Sequence, residues 1–324
     1  MADTTLAVSE AADVERTAPR QDCRASWWRY PIYCLIVVSL PALFLLSSIF
    51  IVRSKSFPVE SHDPFLLNPD YAYSLSHVNC DVVVFGDSTA ITGVDPTVIE
   101  KSTGLKTCNI AQSQSILALL GTAALDNYLQ SNEPPKYLVI QLGPESFSRD
   151  HQQFNWPEGI TLLLRKKFGL RTLLTLVAHP QETYGFAIWA IKAKLGALGP
   201  APNFIEMEAT FRSRSGLLIL PKPPETGCVK HGLLWPPTLS WIKGLREKYS
   251  VNGTQVLIDV APIPACENDI AQIAASLAGV TDNTLPVYPI SLFSDLDRHL
   301  TMVGAERSTE EIAQQIQSRQ QRQK

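Results

Sequence analysis

The stretch from Tyr30 to Val52 carries no charged residue, and this sets the first limit on what the chain can become. A helix of that length reaches about 35 Å, enough to cross a hydrocarbon core of about 30 Å. Trp27, Trp28 and Tyr30 supply an aromatic anchor at one end. Pro41 lies in the middle, where transmembrane helices tolerate proline. The run is too long for the apolar part of a signal peptide and lacks a small-x-small cleavage site near its end. Arg16, Arg20, Arg24 and Arg29 precede it, while only Arg53 and Lys55 follow closely. That bias predicts an N-terminus on the cytoplasmic side. The expected layout is a cytoplasmic tail over 1–29, a transmembrane anchor over 30–52 and a linker over 53–79. A globular domain over 80–324 then lies outside the cytoplasm, on an inner (plasma) membrane protein of a single pass.

Strands and helices alternate through that domain. Asp81 to Gly86, Cys108 to Ala111, Tyr137 to Leu142 and Val256 to Val260 read as short apolar strands. Helices are predicted over 96–103, closed by Gly104, and over 115–130, 237–249, 267–277 and 304–318. The alternation implies an α/β fold with a parallel sheet covered by helices on both faces. Composition is that of a domain with a sizeable core, 45% hydrophobic and 18% charged. A net charge of −3 with no basic stripe argues against nucleic acid as a partner.

The first strand ends in D-V-V-V-F-G-D-S, residues 81–88, which puts Ser88 at a sharp turn beyond a strand's carboxyl end. Open α/β sheets present reactive side chains there. Near the other end, S-D-L-D-R-H-L-T places His299 four residues after Asp295 and two after Asp297. A serine needs an adjacent base to become a nucleophile, and the base needs an orienting acid. The two segments supply all three. Asp295 is the favoured acid and Asp297 the alternative.

These residues resemble the SGNH, or GDSL-type, hydrolase superfamily, and the resemblance runs from about Asp81 to about Ala313. It implies a flavodoxin-like three-layer sandwich with Ser88 as nucleophile and His299 as base. N-I-A-Q-S-Q, residues 109–114, resembles the family's second block, with Gln114 where the family has a glycine. G-P-E-S, residues 143–146, resembles the third block, with Glu145 where the family has an asparagine. In the family that glycine N–H and that asparagine amide complete the oxyanion hole. Donors of this kind contribute roughly 3 kcal/mol each. A carboxylate at Glu145 donates only when protonated, whereas the Gln114 amide is a substitute donor.

Four cysteines fall in the exported part, Cys80, Cys108, Cys228 and Cys266, which allow three pairings. Cys80 precedes the first strand and Cys108 the second, so both fall at one sheet edge and a bridge between them is expected. Cys228 and Cys266 then pair by elimination. No Cys/His spacing resembles a zinc site, and no metal or cofactor is expected. His62, His77, His151, His179 and His231 lack a catalytic setting, and N-G-T at Asn252 reads as an accidental glycosylation sequence.

An insertion over about 145–235 holds two apolar stretches at helical spacing. They are flanked by Arg165, Lys166, Lys167, Arg171, Lys192 and Lys194. They read either as helices covering the sheet or as an amphipathic cap on the membrane surface or a membrane partner.

Three functions fit. Membrane-anchored SGNH-like proteins of this layout are similar to those that acylate cell-surface polysaccharide with a multi-spanning membrane acyltransferase as partner. An exported esterase or lipase acting on acyl esters shares the serine site. A non-catalytic binding protein on the same scaffold is the third.

Overall fold

The computed structural model describes residues 29–54, 56–148, 156–166, 169–221, 227–228, 235–296 and 298–322. The tail up to residue 28, Lys167, Asp297, His151 and His231 lie outside them. The chain divides into two compact units, Met1–Phe44 and Leu45–Lys324. Helix α1, Arg29–Arg53, begins in the first and ends in the second, and is long and apolar enough to cross a membrane.

The second unit opens with two short 3-10 turns and helix α2, Leu67–Ser74. Then come β1 (Val82–Gly86), α3 (Ser88–Gly93), α4 (Pro96–Thr103), β2 (Thr107–Asn109), α5 (Gln114–Leu120), α6 (Ala123–Ser131) and β3 (Tyr137–Leu142). Four helices follow, α7 (Trp156–Lys166), α8 (Leu170–Ala178), α9 (Pro180–Lys194) and α10 (Phe204–Ser213). The chain closes with α11 (Leu239–Tyr249), β4 (Gln255–Val260), β5 (Ile263–Pro264), α12 (Ile270–Leu277), β6 (Val287–Tyr288) and α13 (Met302–Arg322).

The main sheet is parallel, in the order β2-β1-β3-β4. Alternation along each strand sends successive side chains to opposite faces. Val83, Phe85, Leu138, Ile140, Val256 and Ile258 meet α6, α11 and α12 on one face. Val82, Val84, Val139 and Leu257 meet α3, α4, α10 and α13 on the other. Strands buried on both faces explain the continuous apolar runs V-V-V-F and Y-L-V-I. The expected α/β class, parallel sheet and helical cover on both sides are therefore present. β5 and β6 form a separate two-stranded parallel pair that sequence pattern does not announce, being only two residues each.

Three expectations are refined. The stretch 53–79 is packed rather than a bare linker: Leu66, Leu67, Asn68, Pro69 and Ala72 are buried against the domain. The single helix expected over 115–130 is two, because Gly121 adopts φ 57° and ψ −130° between α5 and α6. Among the described residues the insertion holds four α-helices instead of two. Of these, α10 joins the sheet core, whereas α7, α8 and α9 pack with the end of α1.

Both cysteine pairs are bridged, Cys80 to Cys108 and Cys228 to Cys266, each with Cα atoms 6.0 Å apart. The first ties the lead-in of β1 to β2 and closes a loop of sequence separation 28. Closing such a loop contributes roughly 3–4 kcal/mol in the chain-entropy picture.

Candidate active site

At the end of β1 the chain passes so close to β3 that only glycine fits. A Cβ on Gly86 would lie 1.8 Å from the Gln141 carbonyl oxygen, and its φ is +157°. The next residue, Asp87, is fully buried and does two jobs. Its Oδ1 accepts from the Thr89 N–H at 2.9 Å and the Thr89 hydroxyl at 2.6 Å, capping α3. Its Oδ2 accepts from the Gly143 N–H at 2.7 Å, tying the end of β1 to the end of β3. Burial, and next the Glu145 charge, push its pKa above the usual carboxylate range. The aspartate of G-D-S is thus a positioning residue. It leaves Ser88 half-buried as the first residue of α3, where a backbone N–H has no acceptor within the helix.

The second block clamps this turn from the side. Asn109 donates its amide to the Ala90 and Val94 carbonyls at 2.8 and 3.1 Å and accepts from the Ala111 N–H at 3.0 Å. The Gln112 N–H donates to the Gly86 carbonyl at 3.1 Å. Gln112, which spacing did not single out, is therefore the block's buried amide over the end of β1. Its Nε2 donates to the Gly121 carbonyl at 2.6 Å, and its Oε1 is buried with no partner among the described residues. Gln114 stands half-buried at the start of α5. Ser113 and Ser115 both donate to the buried Glu158 carboxylate, the latter at 2.8 Å.

His299 comes from a tight loop after β6. Ser294 N–H donates to the His299 carbonyl at 2.8 Å, and Phe293 pairs antiparallel with Leu300. Arg298 turns the chain with φ +66°. This geometry makes a spacing of four work: Asp295 Oδ2 lies 2.8 Å from His299 Nδ1, and Asp295 Oδ1 accepts the His299 N–H at 3.2 Å. Asp295 is the carboxylate on the imidazole; Asp297 falls outside the described residues. With Nδ1 on the carboxylate, Nε2 is the nitrogen left for a substrate or nucleophile. It is buried and without a hydrogen-bond partner among the described residues, Ser88 included. The Phe65 ring packs on the imidazole with centroids 5.1 Å apart.

Glu145 is not a stand-in donor. Its carboxylate accepts from Arg298 Nη1, a pair buried on the arginine side. The same guanidinium, 1% exposed, grips Glu267 through Nε at 3.2 Å and Nη2 at 2.6 Å. Arg298 and Glu267 escaped sequence reading because only the turn before His299 brings them together. Their one signal was adjacency, to His299 and to Cys266. The contacts form a chain from the Ser88 turn to His299: Asp87 holds Gly143, Glu145 two residues on holds Arg298, and Arg298 precedes His299. Packing of α13 on α3 runs beside it, with Asp95 N–H donating to Thr309 Oγ1 at 2.8 Å. Ser88 and His299 are thus the two ends of one linked region, joined through Asp87, Gly143, Glu145 and Arg298.

A carboxylate neighbours that region from the lead-in segment. Asp63 accepts the Phe65 N–H at 3.2 Å. Burial, and next the charge of Glu158, hold its pKa well above the usual range. Among the described residues no group of three or more His, Cys, Asp or Glu side chains is arranged to hold a metal ion.

Comparison with family models, with characterised proteins and with solved structures gives no match for this chain.

Proposed function

We propose that this chain is a membrane-anchored, extracytoplasmic serine acyltransferase of the SGNH kind that modifies cell-surface polysaccharide. The observation that carries the reading is the Asp295–His299 pair, whose buried Nε2 has no partner among the described residues and whose loop is linked through Arg298 and Glu145 to the turn that bears Ser88. Catalytic hydrogen bonds are often long in unliganded sites and tighten with substrate, so the open Nε2 suits a base awaiting its proton.

In this reading Ser88 Oγ attacks the acyl carbonyl and gives its proton to His299 Nε2 as the O–C bond forms. Asp295 steadies the imidazolium. The Ser88 N–H, at the start of α3, faces the developing oxyanion. Nε2 then returns the proton to the leaving group, and an acyl-Ser88 ester remains. A sugar hydroxyl attacks that ester while its proton passes to Nε2, and Ser88 recovers a proton as it departs. With Glu145 taken up by Arg298, the oxyanion side is poorer in donors than in the family pattern, which suits a donor-selective transferase over a general esterase. Two disulfides support an oxidising compartment, and the bias of arginines before α1 supports a cytoplasmic N-terminus.

The test uses the full-length chain in detergent. A serine-directed fluorophosphonate should label Ser88, and Ser88→Ala should abolish labelling while both bridges and the thermal midpoint are kept. With an activated acyl ester and a polysaccharide fragment, the acyl group should appear on the fragment. Release to water alone would replace the transferase by an esterase. Failure to label Ser88, with His299 intact, would leave only a binding scaffold.

A further inference from the structure

Helix α8 carries an apolar face that nothing among the described residues covers. Leu170, Leu173, Leu174 and Val177 are all exposed, the last at 76%. Their spacing of i, i+3, i+4 and i+7 lines one side of a helix. The opposite side is packed: Thr172 and Leu176 are each 2% exposed. A scattered exposed leucine needs no explanation, but a full exposed stripe on one helix does.

Its position is fixed by what the inner side touches. Leu176 shares a core with Ile49 and Val52 of α1 and with Ile160, Leu164, Phe186 and Ala190 of α7 and α9. Reciprocal backbone contacts clamp the ends of α1 and α7 together. Arg165 Nε donates to the Val52 carbonyl at 2.9 Å, and Arg53 Nη1 to the Leu164 carbonyl at 3.3 Å. On α1 at this same level, Leu46 and Phe50 stay exposed, Phe50 at 78%. The outer stripe of α8 therefore continues the apolar surface of the anchor's last turns. Of the described cations nearby, Arg165 and Lys166 of α7 are paired with Glu60 and Asp70, while Lys192 and Lys194 stand exposed in the last turn of α9. α8 itself has no acidic residue. An exposed apolar stripe on a helix without acidic residues, beside exposed lysines on the neighbouring helix and the exposed apolar end of α1, is the pattern of a helix lying in the interface of an anionic membrane.

We infer that α8 is an interfacial membrane helix, with Leu170, Leu173, Leu174 and Val177 seated among lipid acyl chains beside the anchor. It rests on the reading of α1 as a membrane anchor. With two attachments instead of one, the domain cannot swing freely about its tether. The candidate site is then held at a constant height above the bilayer.

The experiment places single nitroxide labels on the full-length chain in vesicles of phosphatidylethanolamine and phosphatidylglycerol. The two cysteines outside the bridges are first replaced by Cys23→Ser and Cys34→Ser, and labels go to Leu170→Cys, Leu174→Cys and Val177→Cys in separate variants. Lys243→Cys on α11 serves as a water-facing reference and Val38→Cys as a reference in the span. At the α8 positions, collision with oxygen should rise several-fold relative to a polar nickel chelate, compared with Lys243→Cys, and approach the ratio at Val38→Cys. Val38→Cys in lipid with the α8 labels as wet as Lys243→Cys overturns the inference and leaves the anchor standing. Val38→Cys in water overturns the anchor reading and the inference with it. Labels on α8 that are immobile and shielded from both probes mean that a protein covers the stripe, a second copy in such vesicles, which also overturns it. Three separate positions keep the test sound should one variant fail to fold.

Discussion

Ser88 is held by backbone geometry and a hydrogen-bonded cap, whereas the His299 loop is held by ion pairs between distant residues. On the Ser88 side, the Asp87 cap of α3 and the Asn109 clamp act within some two dozen residues of sequence, and Gly86 and Asp87 also meet β3 at Gln141 and Gly143. On the base side, Arg298 reaches Glu145 across 153 residues and Glu267 across 31. The first arrangement tolerates little change of shape; the second tolerates little change of charge. A buried cation shared by two carboxylates has its desolvation repaid only while all three are present. The contrast suggests how the two sides should fail.

The largest effect is expected where shape is tightest. Gly86→Ala sets a methyl against the Gln141 carbonyl oxygen at 1.8 Å, in a backbone region strained for any side chain. Loss of folded protein is expected, read as absent disulfide-linked monomer after expression. A folded Gly86→Ala chain with a normal thermal midpoint would break the claim that β1 and β3 meet through glycine.

Asp295→Asn keeps the shape of the base side and removes its charge. Turnover should fall by about 10³–10⁴, the scale seen when a triad histidine loses its carboxylate. Stability should change little, because the amide still spans the loop. A variant that keeps full turnover would hand the role to another group, Asp297 first.

Arg298→Met fills the volume but leaves Glu267 buried without its cation. A cost of about 3–5 kcal/mol is expected in urea unfolding. Adding Glu267→Gln should return much of it, because the stranded charge is then gone. No rescue would mean that Arg298 acts through packing alone.

The smallest effect sharpens the same contrast on the α13 face of the sheet. Asp259 is fully buried with Gln315 as a neutral donor at 3.2 Å, and burial, then Asp282, pushes its pKa up to about 7. Its proton binds more tightly in the folded state than in the unfolded one. The resulting stability is complete below the ordinary value near 4 and is lost as pH rises through about 7. Asp259→Asn should therefore add on the order of 2 kcal/mol at pH 8, change little at pH 4, and flatten the slope between. Urea midpoints at the two pH values measure this. An equal effect at both would detach Asp259 from the pH dependence.

The Ser88 side was legible because its motif is local, although its glycine and aspartate also answer to β3. A β-branched run, a glycine and a serine at a strand's end describe the turn almost completely. The base side was legible only at Asp295 and His299. A spacing of four between them is unusual for a loop until Arg298 takes a positive φ and folds the imidazole back over the carboxylate. Glu145 was visible as a missing amide but not as an ion-pair partner, since nothing near it in sequence carries the matching charge. Gln112 was passed over for Gln114 because a motif's spacing says where a block lies, not which side chain turns inward.

Sequence alone determined that a long apolar helix precedes an α/β domain, that the strands are buried on both faces, and that a serine and a histidine stand at its two ends. Those follow from periodicity, length and residue type, which act over a few residues. Only the tertiary structure decided that the supposed linker is packed, that the insertion divides between the sheet and the end of the anchor, and that Arg298 joins two carboxylates beside the base. These are contacts between distant segments. Their energies come from desolvation and close packing, which depend on what the rest of the chain brings alongside.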